Sequence, residues 1–82
     1  MNDMYNIGAI IRFHRKKAGL TQPQLAKLAG VGKTVVFDIE KGKNTIRLNT
    51  LLAVMSVLNI TLNPWSSLME EWISHNREAG KK

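Results

Sequence analysis

With 82 residues the chain has room for one domain and buries only a modest share of its surface, so a second copy is a natural source of stability. An apolar content of 44% suits a packed fold rather than disorder, and the lack of cysteine excludes disulfides and thiolate metal sites. The net charge of +6 lies wholly in residues 1–64, where nine Lys and Arg face three acids, while residues 65–82 balance three against three. A basic body of this kind points either to a polyanionic partner or simply to solubility.

The first helix is expected over Tyr5–Lys17. Ile7, Ile10, Ile11 and His14 recur at i, i+3, i+4, i+7, which is one helical face, and Gly19 suits a left-handed end. The second helix starts at Thr21. Gln24 stands three residues on and completes a capping box, and Pro23 is tolerable in the first turn. Leu25, Ala26, Leu28 and Ala29 are its expected buried face, and Gly30 ends it. The third helix is expected over Lys33–Lys41, with Val36 and Ile39 inward and Gly42 as its stop. The fourth runs over Asn49–Leu58 with a stripe of Leu51, Leu52, Met55 and Leu58. Ile60-Thr61-Leu62 alternates weakly as a strand does, before Asn63-Pro64. Ser66 or Ser67 caps a last helix to Arg77, with Leu68, Trp72 and Ile73 on one face, and Gly80-Lys81-Lys82 is expected to fray. The fold class is thus all-α, a bundle of four to five helices over residues 1–62 and a helical extension over residues 63–82.

The connection Gly30-Val31-Gly32 is too short for the second and third helices to lie side by side, so they must cross steeply. Ala26, Ala29 and Gly30 supply the small residues such a crossing needs, and Leu25, Val31, Val36 and Ile39 lock it. Lys33, Thr34, Phe37, Asp38 and Lys41 are left on the outer face.

Here the chain resembles the Cro- and lambda-repressor-like helix-turn-helix family. The resemblance is carried by Ile7-Gly8, Ile11-Arg12, Arg15, Gly19-Leu20-Thr21-Gln22, Leu25-Ala26, Gly30-Val31, Val36, Ile39-Glu40 and Gly42, and covers residues 7 to about 60. It implies a helical bundle and a dimeric repressor on a palindromic duplex operator. The Asn44-Thr45 loop and the ending Leu58-Asn59-Ile60-Thr61-Leu62 are also similar to the Hip-type antitoxin branch, whose ending forms a short strand paired with its copy in the other subunit. This chain departs from that branch by continuing through Pro64-Trp65 into a helix.

The resemblance aligns Lys33, Thr34 and Asp38 with base-reading positions. Lys33 then either donates to guanine O6 or N7 or holds a phosphate, and Asp38 either accepts from a cytosine amino group or pairs with Lys41 or Lys43. Phe37 either meets a thymine methyl or folds onto the edge of the core. Gln22 matches a phosphate clamp at a helix start. Lys43, Asn44, Arg47, Asn49 and Thr50 are placed to grip the backbone on the other side, or form a solvated face. Arg15 and Glu40 match an ion pair that ties the first helix to the third in relatives.

Ile60, Leu62, Trp65, Leu68, Met69, Trp72 and Ile73 are the apolar residues left over for a dimer, or for docking another protein. His14 and His75 have no metal-ligand spacing, no nucleophile–base set or phosphate-binding glycine loop occurs, and neither enzyme activity nor a cofactor is expected. The longest apolar run, Leu51–Met55, is far short of a membrane span, and Met1-Asn2-Asp3-Met4 is unlike a signal peptide, so the expected address is the cytoplasm. The functional expectation is a sequence-specific homodimeric repressor, preferably a Hip-type antitoxin that neutralises a kinase-like toxin. The alternatives are a stand-alone or phage-type repressor and a protein-interaction module that no longer binds DNA.

Overall fold

The computed structural model describes residues 6–79. Five helices follow in order, α1 (Ile7–Lys17), α2 (Gln22–Ala29), α3 (Val35–Lys41), α4 (Leu48–Val57) and α5 (Met69–Ala79), with no strand among the described residues. The expected start at Tyr5 and the expected fraying of residues 80–82 lie outside the described residues. Asn6 caps α1, its Oδ1 accepting from the Ala9 amide at 3.1 Å. An asparagine in this place satisfies one of the unpaired amides of the first turn. The capping box on α2 forms as expected, with Thr21 Oγ1 accepting from the Gln24 amide at 3.1 Å and Gln24 Oε1 from the Thr21 amide at 2.8 Å.

α1 packs on α3, and α2 on both α3 and α4. Ile11, Leu25, Ala26, Val36, Ile39, Val54 and Met55 form the buried core. Two expected core leucines are instead exposed, Leu28 by 62% and Leu52 by 42%, and Val54, which the expected stripe omitted, is fully buried. The cause is the same in both helices. At 100° per residue, Leu28 lies about 110° round from the centre of the Leu25–Ala26–Ala29 face, and Leu52 equally far from Leu51–Val54–Met55–Leu58. Each helix has one contact face, and a residue that far round from its centre points to solvent.

Gly8 is needed where α1 crosses α3. A Cβ there would collide with the Ile39 carbonyl oxygen and stand 3.1 Å from that of Glu40. The absence of a side chain lets the two backbones approach, which brings Ile11 over Val36 and Ile39 in the shared core.

α5 behaves differently. Of residues 69–77 only Met69 is partly covered, and the rest are exposed. The helix is reached through residues 61–66, which carry no regular structure, and the strand expected at Ile60–Leu62 is absent, since three residues find no sheet edge to pair with in their own chain. The radius of gyration is 15.6 Å, against about 12 Å for a compact chain of this length. The first four helices make a bundle, and residues 61–79 extend from it as an arm.

Candidate nucleic-acid interface

The turn between α2 and α3 is closed by its own backbone. Gly30 ends α2 at φ 72°, a left-handed geometry that favours glycine. The Val31 amide then donates to the Ala26 carbonyl at 3.0 Å, and the Val35 amide to Gly32 at 3.0 Å. That last bond sets the start of α3. Lys33 and Thr34, expected inside the third helix, sit instead in the turn that leads into it, because Gly32-Lys33-Thr34-Val35 closes as a tight turn first. Both side chains are exposed, immediately before the outer face of α3.

On that face, Phe37 is 49% exposed, and Lys41 Nζ lies 5.4 Å from its ring centroid. Phe37 therefore neither enters the core nor stands free; one side of the ring is covered by a cation. Asp38 faces Lys43, with Nζ 3.7 Å from its Oδ2. The expected base-reading carboxylate and one expected phosphate-gripping lysine thus engage each other, and the pair offers no net charge to DNA. Asn44 and Arg47 are exposed in the loop before α4, and Asn49 and Thr50 lie in its first turn.

Beneath α3, Arg15 and Glu40 form the ion pair that the resemblance implies. Arg15 Nε donates to Glu40 Oε2 at 2.6 Å and its Nη2 to Oε1 at 3.0 Å, while Nη1 donates to the Leu20 carbonyl at 2.9 Å. Gln22 Nε2 adds a bond to Glu40 Oε1 at 3.1 Å. Gln22, the expected phosphate clamp, is thereby anchored at the first residue of α2 with its carboxamide held against α3. Burial pushes the Glu40 carboxyl up, but the hydrogen bonds from Arg15 and Gln22, with the nearby charges of Arg15 and Arg12, outweigh it and hold the pKa below the ordinary carboxylate value. Arg15 is raised in turn by its bond to Glu40 against the opposing cost of burial. This bidentate pair sets α1, α2 and α3 relative to one another.

Arg12, Arg15, Gln22, Phe37, Glu40 and Lys41 line one depression of about 370 Å³. Arg12 had no assigned role in the sequence reading. Its signal was its place one helical turn before Arg15, which puts it on the side of α1 that meets α3. The seven expected dimer or partner residues lie elsewhere, on the far end of the chain: Ile60 and Leu62 at the base of the arm, and Trp65, Leu68, Met69, Trp72 and Ile73 on it.

No helix among the described residues is long and apolar enough to cross a membrane. The chain matches the helix-turn-helix family (HTH_3) over residues 11–65. It is 38% identical over 58 residues, 71% of this chain and 76% of that protein, to an uncharacterized HTH-type transcriptional regulator, y4mF, of Sinorhizobium fredii. It is 35% identical over 63 residues, 77% of this chain and 70% of that protein, to the ImmF control region 10 kDa protein of Bacillus phage phi105. An uncharacterized HTH-type transcriptional regulator of Haemophilus influenzae is 39% identical over 49 residues, 60% of this chain and 50% of its own length. The packed α2–α3 pair, the Gly30 turn and the matched residues agree, and the chain belongs to the Cro- and lambda-repressor-like helix-turn-helix family.

Proposed function

We propose that this protein is a sequence-specific DNA-binding transcriptional repressor that acts as a homodimer on a near-palindromic operator. The observation that carries the reading is the presentation of α3. A glycine turn and the Arg15–Glu40–Gln22 network hold the helix across α2, and its outer face carries Phe37 and Lys41 behind Lys33 and Thr34. A helix so held lies in the major groove with its leading residues at the base edges. In this reading Lys33, Thr34 and Phe37 meet bases, and Asp38 does so only when Lys43 releases it. Gln22, Lys43, Asn44, Arg47, Asn49 and Thr50 meet phosphates, which position the protein without reading sequence.

A gel-shift series over salt tests it. A dimer that neutralises about 6–10 phosphates loses roughly 10³–10⁵ in affinity between 50 and 200 mM salt. Affinity insensitive to salt, or no binding to any genomic fragment, defeats the reading. Selection from a random duplex library separates the roles, since Lys33→Ala should alter the selected motif and Gln22→Ala should weaken all sequences alike.

Two settings fit such a repressor. The short loop before α4 and the Leu58–Leu62 ending support a Hip-type antitoxin that represses its own operon and neutralises a kinase-like toxin. Similarity to a phage control-region protein supports a stand-alone repressor instead. A kinase-like reading frame next to this one, with its product copurifying, selects the first; a lone regulatory frame selects the second.

A further inference from the structure

The arm leaves as much apolar surface open as the largest patches found on lone proteins. Trp65 is 73% exposed, Leu68 66% and Trp72 57%, with Leu62 and Ile73 also open. Taking roughly 150–250 Å² for a whole aromatic side chain, these five residues present on the order of 500–600 Å². That stands at the upper limit of about 300–600 Å² for the largest patch on a typical monomer. The face is grooved rather than flat, since Pro64, Trp65, Leu68, Met69, Trp72 and Ile73 wall a depression of about 540 Å³.

A second apolar hollow, of about 420 Å³, opens on the bundle between α1 and the end of α4. Ile7, Ile10, Ile11 and Met55 line it, and Ile60, Leu62 and Asn63 form its wall. Asn63 borders both depressions, so the apolar hollow and the apolar arm adjoin and together form one belt. Ile7 and Ile10, expected on one helical face with the buried Ile11, are each more than a third exposed, and both line this hollow.

We propose that the belt is occupied by a second copy of this chain, each arm seating Trp72 and its neighbours in the Ile7–Ile10–Met55 hollow of the other. This rests on the homodimer of the proposed function and specifies how it is built. Three observations choose a second copy. A two-fold contact needs one surface that carries both the protruding and the receiving element, and this belt does. Its area also fits: two arms of about 500–600 Å², each covering a like area of receiving surface, bury on the order of 2,000 Å², at the upper end of the standard size of a stable interface. The charge is also suited, because two bodies of +6 repel, whereas the stretch from residue 65 onward carries no excess charge and places Glu70 and Glu71 in the first turn of α5.

The full chain has no cysteine, so single cysteines report contacts without interference. Sedimentation without DNA should show a dimer at about 10 μM, and Trp72→Glu should weaken it at least about 30-fold, as expected for an aromatic anchor at an interface. Leu28→Glu, at an equally exposed leucine outside the belt, should leave it unchanged. Circular dichroism shows whether either variant keeps its helix content. Independently of those variants, a mixture of Ile10→Cys and Trp72→Cys chains should form a mixed crosslink with a short bismaleimide. A wild-type chain monomeric at 100 μM overturns the proposal, as does a Trp72→Glu dimer of undiminished strength. Crosslinking of Trp72→Cys only to itself overturns it too, because that places arm on arm. A chain that dimerises through the belt yet binds no duplex defeats the repressor reading and leaves the arm exchange standing; one that binds operator as a monomer overturns the arm exchange and the homodimer, and leaves operator recognition standing.

Discussion

Ile11 on α1 and Trp72 on α5 are both large apolar residues on helices with an apolar face, yet Ile11 is fully buried and Trp72 mostly open. The bundle covers its own faces. Ile11 meets Val36 and Ile39 across the Gly8 crossing, and the charged group that reaches inward, Arg15, donates from each of its three nitrogens to Glu40 or Leu20. The arm has an equally clear stripe that its own chain leaves largely open. Helical periodicity thus states that a face is to be covered, but not by what. In the bundle the cover comes from the same chain; in the arm we assign it to a second copy.

The largest effects should come from the bundle. Glu40→Ala leaves the buried Arg15 charge without its partner and should cost about 3–5 kcal/mol in urea unfolding. The double variant Arg15→Met, Glu40→Leu should recover most of that, since removal of both charges leaves none unpaired. The same pair gives a pH signature. The Glu40 carboxyl has a lower pKa folded than unfolded, so its contribution is complete above the ordinary carboxylate value of 4.5 and is lost as pH falls through the lowered folded value. Wild type should therefore lose stability toward acid more steeply than Glu40→Gln; equal slopes would mean that the pair contributes nothing.

Next comes Gly8→Ala. A methyl group forced against the Ile39 and Glu40 carbonyls should push α1 from α3 and cost about 1–3 kcal/mol, despite the better helix propensity of alanine. A gain in thermal stability would show that the crossing has room to spare. Thr21→Ala removes the cap of α2 and should cost about 1 kcal/mol. Smallest is Trp72→Ala, measured at concentrations low enough to separate the copies. With more than half of its surface open it should change stability by less than about 0.5 kcal/mol. A loss of several kcal/mol there would erase the contrast between arm and bundle, by showing that the arm packs on its own chain.

Much of the site could be read before the structure. The family string carried the α2–turn–α3 unit, and Arg15 and Glu40, 25 residues apart, were paired by resemblance alone. What the string left out are matters of local competition. Lys33 and Thr34 looked helical, but the Gly32–Val35 bond closes a turn across them. Asp38 was left between a cytosine and an ion pair with Lys41 or Lys43, and the chain past Gly42 brings Lys43 to it. Arg12 gained a place beside Phe37 and Lys41 only when α1 was laid against α3.

By itself the sequence determined that these helices form and where α2 and α3 stop, because caps, glycines and periodicity act within a few residues. Thr21 with Gln24, Gly30 and Gly42 needed no distant partner to do so. The tertiary structure alone decided which of two adjacent leucines turns inward, as at Leu51 and Leu52, because the choice depends on the azimuth of the neighbouring helix. It also decided that the apolar stripe of α5 stays open and runs on into the hollow beside α1. Burial is a property of the surfaces that meet, and a stripe in one segment does not carry the shape of the other.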